Sequence, residues 1–364
     1  MSELVTAHWI NCLVRRDERP LKIVVLSDSE ADGFSAGDSN GVKDYRRTWP
    51  YLLADDLGKR LGVPVSKWIP CDTPNADHPN YEYRPTEFDT ALDTADRTGD
   101  TNGVPGSVWL NNSGPSGQTQ SLTWDVDGDT GGSTFWAEVV VRGYPNYGTT
   151  DIDITSDSVT TTVTPGGQLE RYHLGGSLGV APLGAEIRVD NSTDGCQILG
   201  IVEHKADDVV GNGLHMYNLA FAGKTAQDYA GWTALAEGLP ELLVDLQPDL
   251  VIIALGGNDW TDGRTTTELQ TDLETIVSNV QSLSPDSEFL FVVPRYTDQV
   301  GLDPWVDFET AIAQAADSSG SVVLTTQWTT PPGADGLFLN DGVHLTLSGM
   351  RSYSDLVLPA LYPR

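Results

Sequence analysis

The apolar positions of this chain follow two different patterns in different stretches. Before about residue 68 and after about residue 212, short runs of consecutive apolar residues alternate with stretches in which apolar positions recur every three or four residues. Buried parallel strands give the first pattern and amphipathic helices give the second. Their alternation with short connections predicts a parallel sheet with helices on both faces.

The element boundaries in these two stretches carry their own signals. Thr265 and Glu268 predict a capping box at the start of the helix 265–284. Its apolar face is then formed by Leu269, Leu273, Ile276, Val277, Val280 and Leu283. In the helix 48–61, Thr48 is placed to cap, Pro50 lies in the first turn and Gly62 ends the helix. The other predicted elements are strands at 21–27, 214–220, 249–255, 288–293 and 321–325, and helical segments within 225–246, near 305–318 and at 346–359.

Residues from about 103 to 205 differ in kind. They are rich in Gly, Thr, Ser and Asp and alternate with a period of two, as in FWAEVVVRG (135–143) and SVTTTVT (158–164). Further alternating segments lie at 150–156, 185–191 and 197–204. Turn residues at short intervals predict an antiparallel β-sandwich inserted into the α/β domain. Residues 69–102 are polar and Pro-rich and are expected to form an ordered loop.

Charge is the extreme feature of the composition. The 364 residues include 21 Lys and Arg against 52 Asp and Glu, which gives a formal net charge of −31. Such a field repels nucleic acids and anionic membranes, so neither is expected as a partner. The scarcity of lysine and the abundance of aspartate favour adaptation to high salt over a merely solubilising surface.

Membrane spans, signal peptides and cysteines further restrict the class of protein that is expected. No run of about 18 apolar residues predicts a membrane span. No signal peptide is recognised at the N-terminus, so a cytoplasmic or particle-associated protein is expected, from a high-salt organism. Cys12, Cys71 and Cys196 are too few for a disulfide framework or a cysteine-based zinc site, although one pair could meet in space.

Candidate chemistry lies where the predicted strands end. The first strand runs into Ser27-Asp28-Ser29, a later one precedes Gly223, and the next precedes Asn258. Such residues also form ordinary turns. Near the C-terminus, Asp341 and His344 stand just before the last helix. Because open α/β sheets bind ligands beyond the carboxyl ends of their strands, these residues are expected to form one site.

The residue types match a serine hydrolase. A serine hydroxyl becomes nucleophilic when an imidazole accepts its proton, and a carboxylate fixes the tautomer of that imidazole. Ser29, His344 and Asp341 supply these groups. Donors must also face the developing oxyanion, and the N–H groups of Ser29 and Gly223 with the Asn258 amide can supply them.

At these positions the sequence resembles the SGNH/GDSL hydrolase family. Ser27-Asp28-Ser29 matches its Gly-Asp-Ser block, Gly223 its second block, Gly256-Gly257-Asn258-Asp259 its Gly-x-Asn-Asp block, and Asp341-Gly342-Val343-His344 its Asp-x-x-His block. The resemblance covers about 21–68 and 212–362. It implies a three-layer α/β/α sandwich with a flavodoxin-like parallel sheet, carrying a jelly-roll-like insertion. The domains are then 1–68 with 212–364, a connecting region 69–102, and the insertion 103–211.

The resemblance implies a carboxylic ester hydrolase with no cofactor and no metal, acting on O-acetyl groups of carbohydrate or cell-surface glycan. A lipase is disfavoured because no long apolar lid is found. The rival is an attachment protein of a virion or cell surface, in which the insertion binds glycan and the hydrolase domain is auxiliary. Homo-oligomerisation or assembly into a virion is compatible with either hypothesis.

Two residues depart from the family pattern. Ser27 replaces a glycine, and Glu30 replaces an apolar residue after the nucleophile. An added carboxylate there is expected to raise the pKa of His344 or to repel anionic substrates. Ser29 and Gly223 are also unusually far apart in sequence, which the insertion explains.

For the other candidate residues, a structural role is favoured over a functional one. Asp125, Asp127 and Asp129 resemble the start of a calcium loop, but Thr130 stands where glycine is required, so an acidic hairpin loop is favoured. Core packing is favoured over sugar stacking for Trp109, Trp124 and Trp136. Asn258 has helix capping as an alternative role. The remaining histidines are interpreted as structural: His8, His78, His173, His204 and His215.

Overall fold

The structure is a computed structural model. It describes residues 7–16, 18–32, 47–70, 86–88, 108–110, 120–125, 135–143, 151–156, 159–174, 184–189, 196–205, 213–235, 238–294, 304–325, 337 and 344–362. These residues fall into two compact units. The first unit takes those within Met1–Val63 and Asn212–Arg364, and the second takes those within Pro64–Pro79 and Tyr83–Gly211.

Helices and strands are numbered in chain order. The helices are α1 (Ala7–Val14), α2 (Ser29–Asp32), α3 (Trp49–Leu61), α4 (Ala226–Thr233), α5 (Leu239–Leu246), α6 (Gly257–Thr261), α7 (Thr266–Leu283), α8 (Trp305–Ser318) and α9 (Leu347–Leu361). The strands are β1 (Leu21–Ser27), β2 (Val65–Ile69), β3 (Thr86–Phe88), β4 (Val108–Leu110), β5 (Gln120–Asp125), β6 (Phe135–Gly143), β7 (Ile152–Ser156), β8 (Val159–Val163), β9 (Leu169–Leu174), β10 (Gly184–Val189), β11 (Cys196–Lys205), β12 (Leu214–Asn218), β13 (Leu250–Ala254), β14 (Glu288–Val292) and β15 (Val322–Leu324).

The first unit contains a parallel sheet in the order β15-β14-β13-β1-β12. Leu21 of β1 pairs with Leu214 of β12, and Ile23 pairs with Leu250 of β13. Counted along the chain within this unit, the order is 2-1-3-4-5, the doubly wound arrangement. Its topological switch point lies between β1 and β13, and the carboxyl ends of these strands are where such folds bind ligands.

The helices of the first unit form two packing groups. One group pairs α3 with α9, and the other packs α7 against α4, α5 and α8. The connection from β1 to β12 runs in the opposite direction across the sheet from those that lead to β13, β14 and β15. Since parallel crossovers are right-handed, this reversal places the two groups on opposite faces. The predicted α/β fold with a mostly parallel central sheet is confirmed.

Most of the predicted elements of this unit are present. The capping box of Thr265 and Glu268 opens α7, and Gly62 ends α3 in a left-handed conformation with φ 68°. Thr48 precedes α3 as predicted, but its side chain makes no capping hydrogen bond. The segment 225–246 forms two helices, α4 and α5, instead of one. Leu283 is only half-buried, because it lies in the last turn of α7.

The second unit is built from antiparallel strands. Its first sheet runs in the order β2-β11-β6-β9, with β4 also paired to β11, and its second runs β3-β5-β10-β7-β8. Strand β11 is the longest and pairs with β6 over its full length. Gly200 in this strand faces Trp68 so closely that a Cβ would lie 2.2 Å from the indole ring. A glycine is therefore required where β2 and β11 pack.

One apolar cluster joins the two sheets of this unit. It contains Val139 and Val141 of β6 and Ile198 of β11 from the first sheet, with Ile152 and Ile154 of β7 from the second. The expectation of a loop over 69–102 missed β3, whose three residues are too few to show a period. The second unit begins at Pro64 because β2 pairs with β11, whereas the sequence pattern placed the insertion at 103–211.

Two further features concern the chain as a whole. No helix in the described ranges is long and apolar enough to cross a membrane. Cys12 and Cys196 are both buried free thiols, and Cys71 lies outside the described residues.

Candidate active site

Ser29 occupies a tight turn between β1 and α2. It is the first residue of α2, and Asp28 caps this helix by accepting the N–H of Glu30 at 3.1 Å through its Oδ1 atom. The carbonyl oxygen of Asp28 accepts the N–H groups of Ala31 and Asp32. A side-chain cap of this kind fixes the first turn of a helix. The Ser29 hydroxyl is thereby held at the carboxyl end of the central strand.

Ser27 takes the place of the glycine expected before this turn. It is the last residue of β1, and its hydroxyl donates to the carbonyl oxygen of Ala254 at the end of β13 at 2.9 Å. Phe221, which follows β12, donates its N–H to the carbonyl oxygen of Ser27. Ser27 therefore keeps the strand conformation and links the two neighbouring strands.

His344 meets Ser29 from the other end of the chain. Its Nε2 atom lies 3.2 Å from Ser29 Oγ. Thr346, two residues later, caps α9 by accepting the N–H of Gly349. Gly349 packs so closely on Leu337 that a Cβ would lie 2.2 Å from its carbonyl oxygen. Since Thr346 also donates its N–H to Leu337, the segment that carries His344 is held by backbone contacts.

Asp341, the predicted orienting carboxylate, lies outside the described residues. So do Asp127 and Asp129 of the acidic hairpin, whereas Asp125 is the last residue of β5. Trp109, Trp124 and Trp136 lie in described strands, but their side chains lie outside the described part of the chain.

Gly223 lies in a tight turn after β12. Lys224 donates its N–H to the carbonyl oxygen of Phe221 at 3.3 Å, and Gly223 has a φ of 78° at the third position of this turn. A type II turn requires that conformation there, and glycine adopts it without strain. Ala222 donates its N–H to Asp32 Oδ2 at 3.1 Å, which joins the turn to α2.

Asn258 lies in the first turn of α6 and contacts the same turn. Its Nδ2 atom donates to the carbonyl oxygen of Lys224 at 2.9 Å. An amide nitrogen carries two hydrogens, so a second donor remains for a ligand. The helix cap is Gly256, with a φ of 122°, so the alternative role of Asn258 as a helix cap is wrong.

Further buried side chains support these three turns. Asp259 accepts the N–H of Ala226 at 2.9 Å and lies 3.3 Å from Arg264 Nε, and burial raises its pKa to about 6. The hydroxyl of Tyr229 contacts the carbonyl oxygens of Ser27 and Leu219 at 2.7 and 2.6 Å. Sequence reasoning assigned no role to either residue, although Asp259 completes the Gly-x-Asn-Asp block.

The acidic residues at the nucleophile turn are deeply buried. Burial raises the pKa of Asp28 to about 7 and raises that of Glu30 well above its ordinary value. Burial therefore favours the protonated form of Glu30. Because its side chain is 2% exposed, Glu30 is not placed at the surface to repel an anionic substrate, and its effect on His344 stays a prediction.

Another cluster in the first unit holds potential metal ligands. Donor atoms of His8, Cys12 and Asp249 lie within 4.8 Å of one another. Arg19 forms an ion pair with Asp249 and donates to Cys12 at 3.3 Å, so a guanidinium already neutralises the carboxylate. Burial, together with Asp249, raises the pKa of Cys12 to about 12. The cluster is thus an internal ion pair.

The other histidines have structural surroundings where they are described. His204 is buried and lies 2.9 Å from Ser66 Oγ through its Nδ1 atom. His215 is buried on β12, where its ring lies against Tyr217. His173 lies on β9, paired with Glu138 of β6, and His78 is outside the described residues.

Comparisons with known proteins agree with this geometry. Residues 201–351 match the GDSL-like Lipase/Acylhydrolase family, a range that includes Gly223, Asn258 and His344 but not Ser29. No protein with curated annotation has a matching sequence. The strand-end serine, its histidine and this match define a serine hydrolase. The chain is a carboxylic ester hydrolase, and its residues 201–351 are similar to the GDSL-like Lipase/Acylhydrolase family.

Solved structures that align with this chain include three esterases. A peptidoglycan O-acetylesterase aligns over 98% of this chain and 96% of its own, at 15% identity and a TM-score of 0.67. The psychrotrophic esterase EstA from Pseudoalteromonas sp. aligns over 41% of this chain and 76% of its own, at 19% identity and a TM-score of 0.35. A family two carbohydrate esterase from Clostridium thermocellum aligns over 69% and 92%, at 14% identity and a TM-score of 0.31.

Proposed function

We propose that this esterase removes O-acetyl groups from carbohydrate or cell-surface glycan, with Ser29 as the nucleophile. The observation that carries the proposal is the 3.2 Å contact between His344 Nε2 and Ser29 Oγ at the carboxyl edge of the parallel sheet. A base within hydrogen-bond reach of a serine at this edge has the geometry that acyl transfer requires.

In the first half of the reaction, Ser29 Oγ attacks the acyl carbon and passes its proton to His344 Nε2. The carbonyl oxygen becomes an oxyanion, which the N–H groups of Ser29 and Gly223 and the free amide hydrogen of Asn258 stabilise. His344 then gives the proton to the sugar oxygen as its bond to the acyl carbon breaks, which releases the sugar hydroxyl and leaves the acetyl group on Ser29.

In the second half, water replaces the sugar hydroxyl. His344 takes a proton from the water as it attacks the acyl carbon, and returns a proton to Ser29 Oγ as acetate leaves. Asp341 is assigned the role of accepting the Nδ1 hydrogen of His344, which fixes the tautomer and stabilises the imidazolium. No step needs a metal or cofactor.

The substrate class is supported by fold similarity over nearly the whole chain. The peptidoglycan O-acetylesterase aligns with both units of this protein, not with the hydrolase unit alone. Fold alone does not set a substrate, so the proposal names acetylated glycans as a class and commits to no particular polymer.

The second unit is assigned as an inserted β-sandwich of jelly-roll type that binds glycan. Its two antiparallel sheets contribute to a single apolar cluster, as the layers of a sandwich do. In this proposal the unit holds the polymer, while the strand-end site of the first unit performs the hydrolysis.

The proposal is tested with a fluorophosphonate probe and an acetylated polymer. We expect the probe to label Ser29, identified by mass spectrometry, and acetate to be released from O-acetylated glycan but not from a chemically deacetylated sample. Labelling at Ser27 or Ser35 would contradict the assignment of the nucleophile. Labelling of Ser29 without acetate release from any O-acetylated glycan would contradict the substrate class only.

A further inference from the structure

Glu30, the residue after Ser29, is an unusual component of the nucleophile turn. Its side chain is 2% exposed, and its Oε1 atom has no hydrogen-bond partner among the described residues. Asp28, 1% exposed, lies beside it and accepts its N–H. Two adjacent buried carboxylates cannot both be ionised cheaply, so the protonation state of Glu30 has a structural consequence.

The carboxyl group of Glu30 forms a hydrogen bond with Tyr353 of α9. The hydroxyl of Tyr353 donates to the carbonyl oxygen of Val293 at 3.2 Å. A phenol has one hydrogen, and a carbonyl oxygen can only accept. While Tyr353 donates to Val293, it can only accept from Glu30. In that arrangement the carboxyl group carries the proton of the Glu30–Tyr353 hydrogen bond.

The surrounding charges favour the same state. The negative charge of Asp28 acts directly on Glu30. The charges of Asp32 and Asp259 in turn act on Asp28, and Arg264 is paired with Asp259. Tyr229 faces Asp28 and Asp32, and His344 faces the Ser29 hydroxyl. Burial, followed by the charge of Asp28, raises the pKa of Glu30 well above its ordinary value and outweighs the smaller, lowering effect of the hydrogen bond to Tyr353.

The hydrogen-bonded chain from Glu30 through Tyr353 to Val293 joins the two elements that carry the reacting groups. Glu30 adjoins Ser29 on α2, and Tyr353 lies on α9, which begins three residues after His344. Tyr353 is fully buried and packs against Trp49, with ring centroids 5.6 Å apart. Its position is therefore fixed independently of Glu30.

We propose that Glu30 is a positioning residue that works as a neutral carboxylic acid, donating to Tyr353 and thereby holding Ser29 in register with His344. The inference rests on the proposed function, because it assigns Ser29 and His344 as the reacting pair. Loss of the proton would draw the Tyr353 hydrogen away from Val293 and place a second negative charge beside Asp28. Activity is then lost on the alkaline side.

The test compares three variants. Glu30→Gln keeps a neutral donor of the same shape, Glu30→Met fills the space without hydrogen bonding, and Tyr353→Phe removes the acceptor. At pH 7 we expect Glu30→Gln to keep kcat within about threefold of wild type. Glu30→Met and Tyr353→Phe should lose about 10- to 100-fold in kcat with little change in KM, since a small misplacement of reacting groups costs that much.

The pH profile supplies the second readout. Between about pH 7 and about pH 10, the wild type should show an alkaline loss of kcat that Glu30→Gln lacks. If Glu30→Met equals Glu30→Gln in kcat and both retain the wild-type profile, Glu30 only fills space and the inference is wrong. The fraction of molecules that fluorophosphonate labels gives the fraction with a folded, competent site, so a loss of kcat caused by misfolding is recognised.

Melting temperatures give a readout that needs no esterase activity. An acid whose pKa is raised by folding releases its proton on unfolding, so stability falls as pH rises above the unfolded pKa. The Tm advantage of Glu30→Gln over wild type should therefore widen between about pH 5.5 and about pH 8.5. A constant difference would mean that Glu30 is ionised in the fold, which overturns the inference. Widening without labelling of Ser29 would overturn only the proposed function.

Discussion

Each unit of this protein holds a serine and a histidine in hydrogen-bond contact, and only one of the pairs has the setting of an active site. In the first unit, His344 Nε2 lies 3.2 Å from Ser29 Oγ. In the second, His204 Nδ1 lies 2.9 Å from Ser66 Oγ, and its Nε2 lies 3.4 Å from Glu138 Oε2. By residue types alone, the second set is a complete Ser-His-carboxylate triad.

The difference lies in the surroundings. Ser66 is fully buried inside β2, whose neighbours use their backbone groups in sheet pairing. Ser29 follows a strand end, at a turn next to Gly223 and Asn258. Glu138 is also shared with Arg171 at 3.1 Å. Burial acts to raise the pKa of Glu138, but the hydrogen bond to His204 and the charge of Arg171 outweigh this effect. The pKa of Glu138 is therefore lowered from its ordinary value. The second set is thus a stabilising polar network, and a triad is recognised by access and oxyanion donors as well as by distance.

The largest expected effect separates the two serines. Ser29→Ala should lower kcat/KM by about 10⁴- to 10⁶-fold, since only binding and oxyanion stabilisation remain. Ser66→Ala should leave kcat/KM within about twofold at temperatures where the variant is folded. Hydrolysis of nitrophenyl acetate measures both. A large loss in Ser66→Ala with an unchanged Tm would give the second unit a catalytic role.

The next effect concerns Asn258, the proposed oxyanion donor. Asn258→Ala should lower kcat by about 10²- to 10³-fold with little change in KM, because its amide acts on charge that develops in the transition state. Asn279→Ala is the matched control, because the amide of Asn279 donates to the hydroxyl of Thr233 where α7 packs against α4. A raised KM at constant kcat would make Asn258 a substrate-binding residue instead.

A smaller effect is expected from the second network. His204→Ala leaves the buried hydroxyl of Ser66 without this partner, and such a loss costs about 1–3 kcal/mol. Denaturant unfolding should show the loss, while esterase activity per folded molecule stays at the wild-type level. An active-site role for His204 would instead appear as a fall in kcat at full stability.

The smallest effect follows from the formal net charge of −31. The Debye length falls from about 30 Å at 0.01 M salt to about 3 Å at 1 M, so repulsion between surface carboxylates is screened. Tm at neutral pH should rise by about 2–4 °C for each kcal/mol of repulsion relieved, whereas the partly buried Glu138 network is less sensitive to salt than exposed charges. A Tm that stays flat up to molar NaCl would remove high-salt adaptation as the explanation of the acidic surface.

The sequence was sufficient to predict the parallel fold because its periodic signals are local. The capping box at Thr265 and the apolar run of β13 are visible in short windows. The contacts that support the site are not local. Asp259 accepts the N–H of Ala226, and the hydroxyl of Tyr229 contacts the carbonyl oxygen of Ser27, in both cases across a large separation in sequence. Likewise, the raised pKa of Glu30 depends on burial in the folded protein, and no neighbouring residue in the sequence indicates it.

The separation of β1 from β12 along the chain has a consequence for synthesis. These strands are adjacent in the sheet, yet all of the second unit is translated between them. Ser29 therefore leaves the ribosome long before Gly223, Asn258 and His344. Closing so long a loop costs entropy, which a previously compacted second unit reduces by bringing its two ends together. The order of synthesis therefore delays assembly of the site: Ser29 meets its partner residues only after the intervening unit has been translated, and β1 stays without β12 and β13 until then.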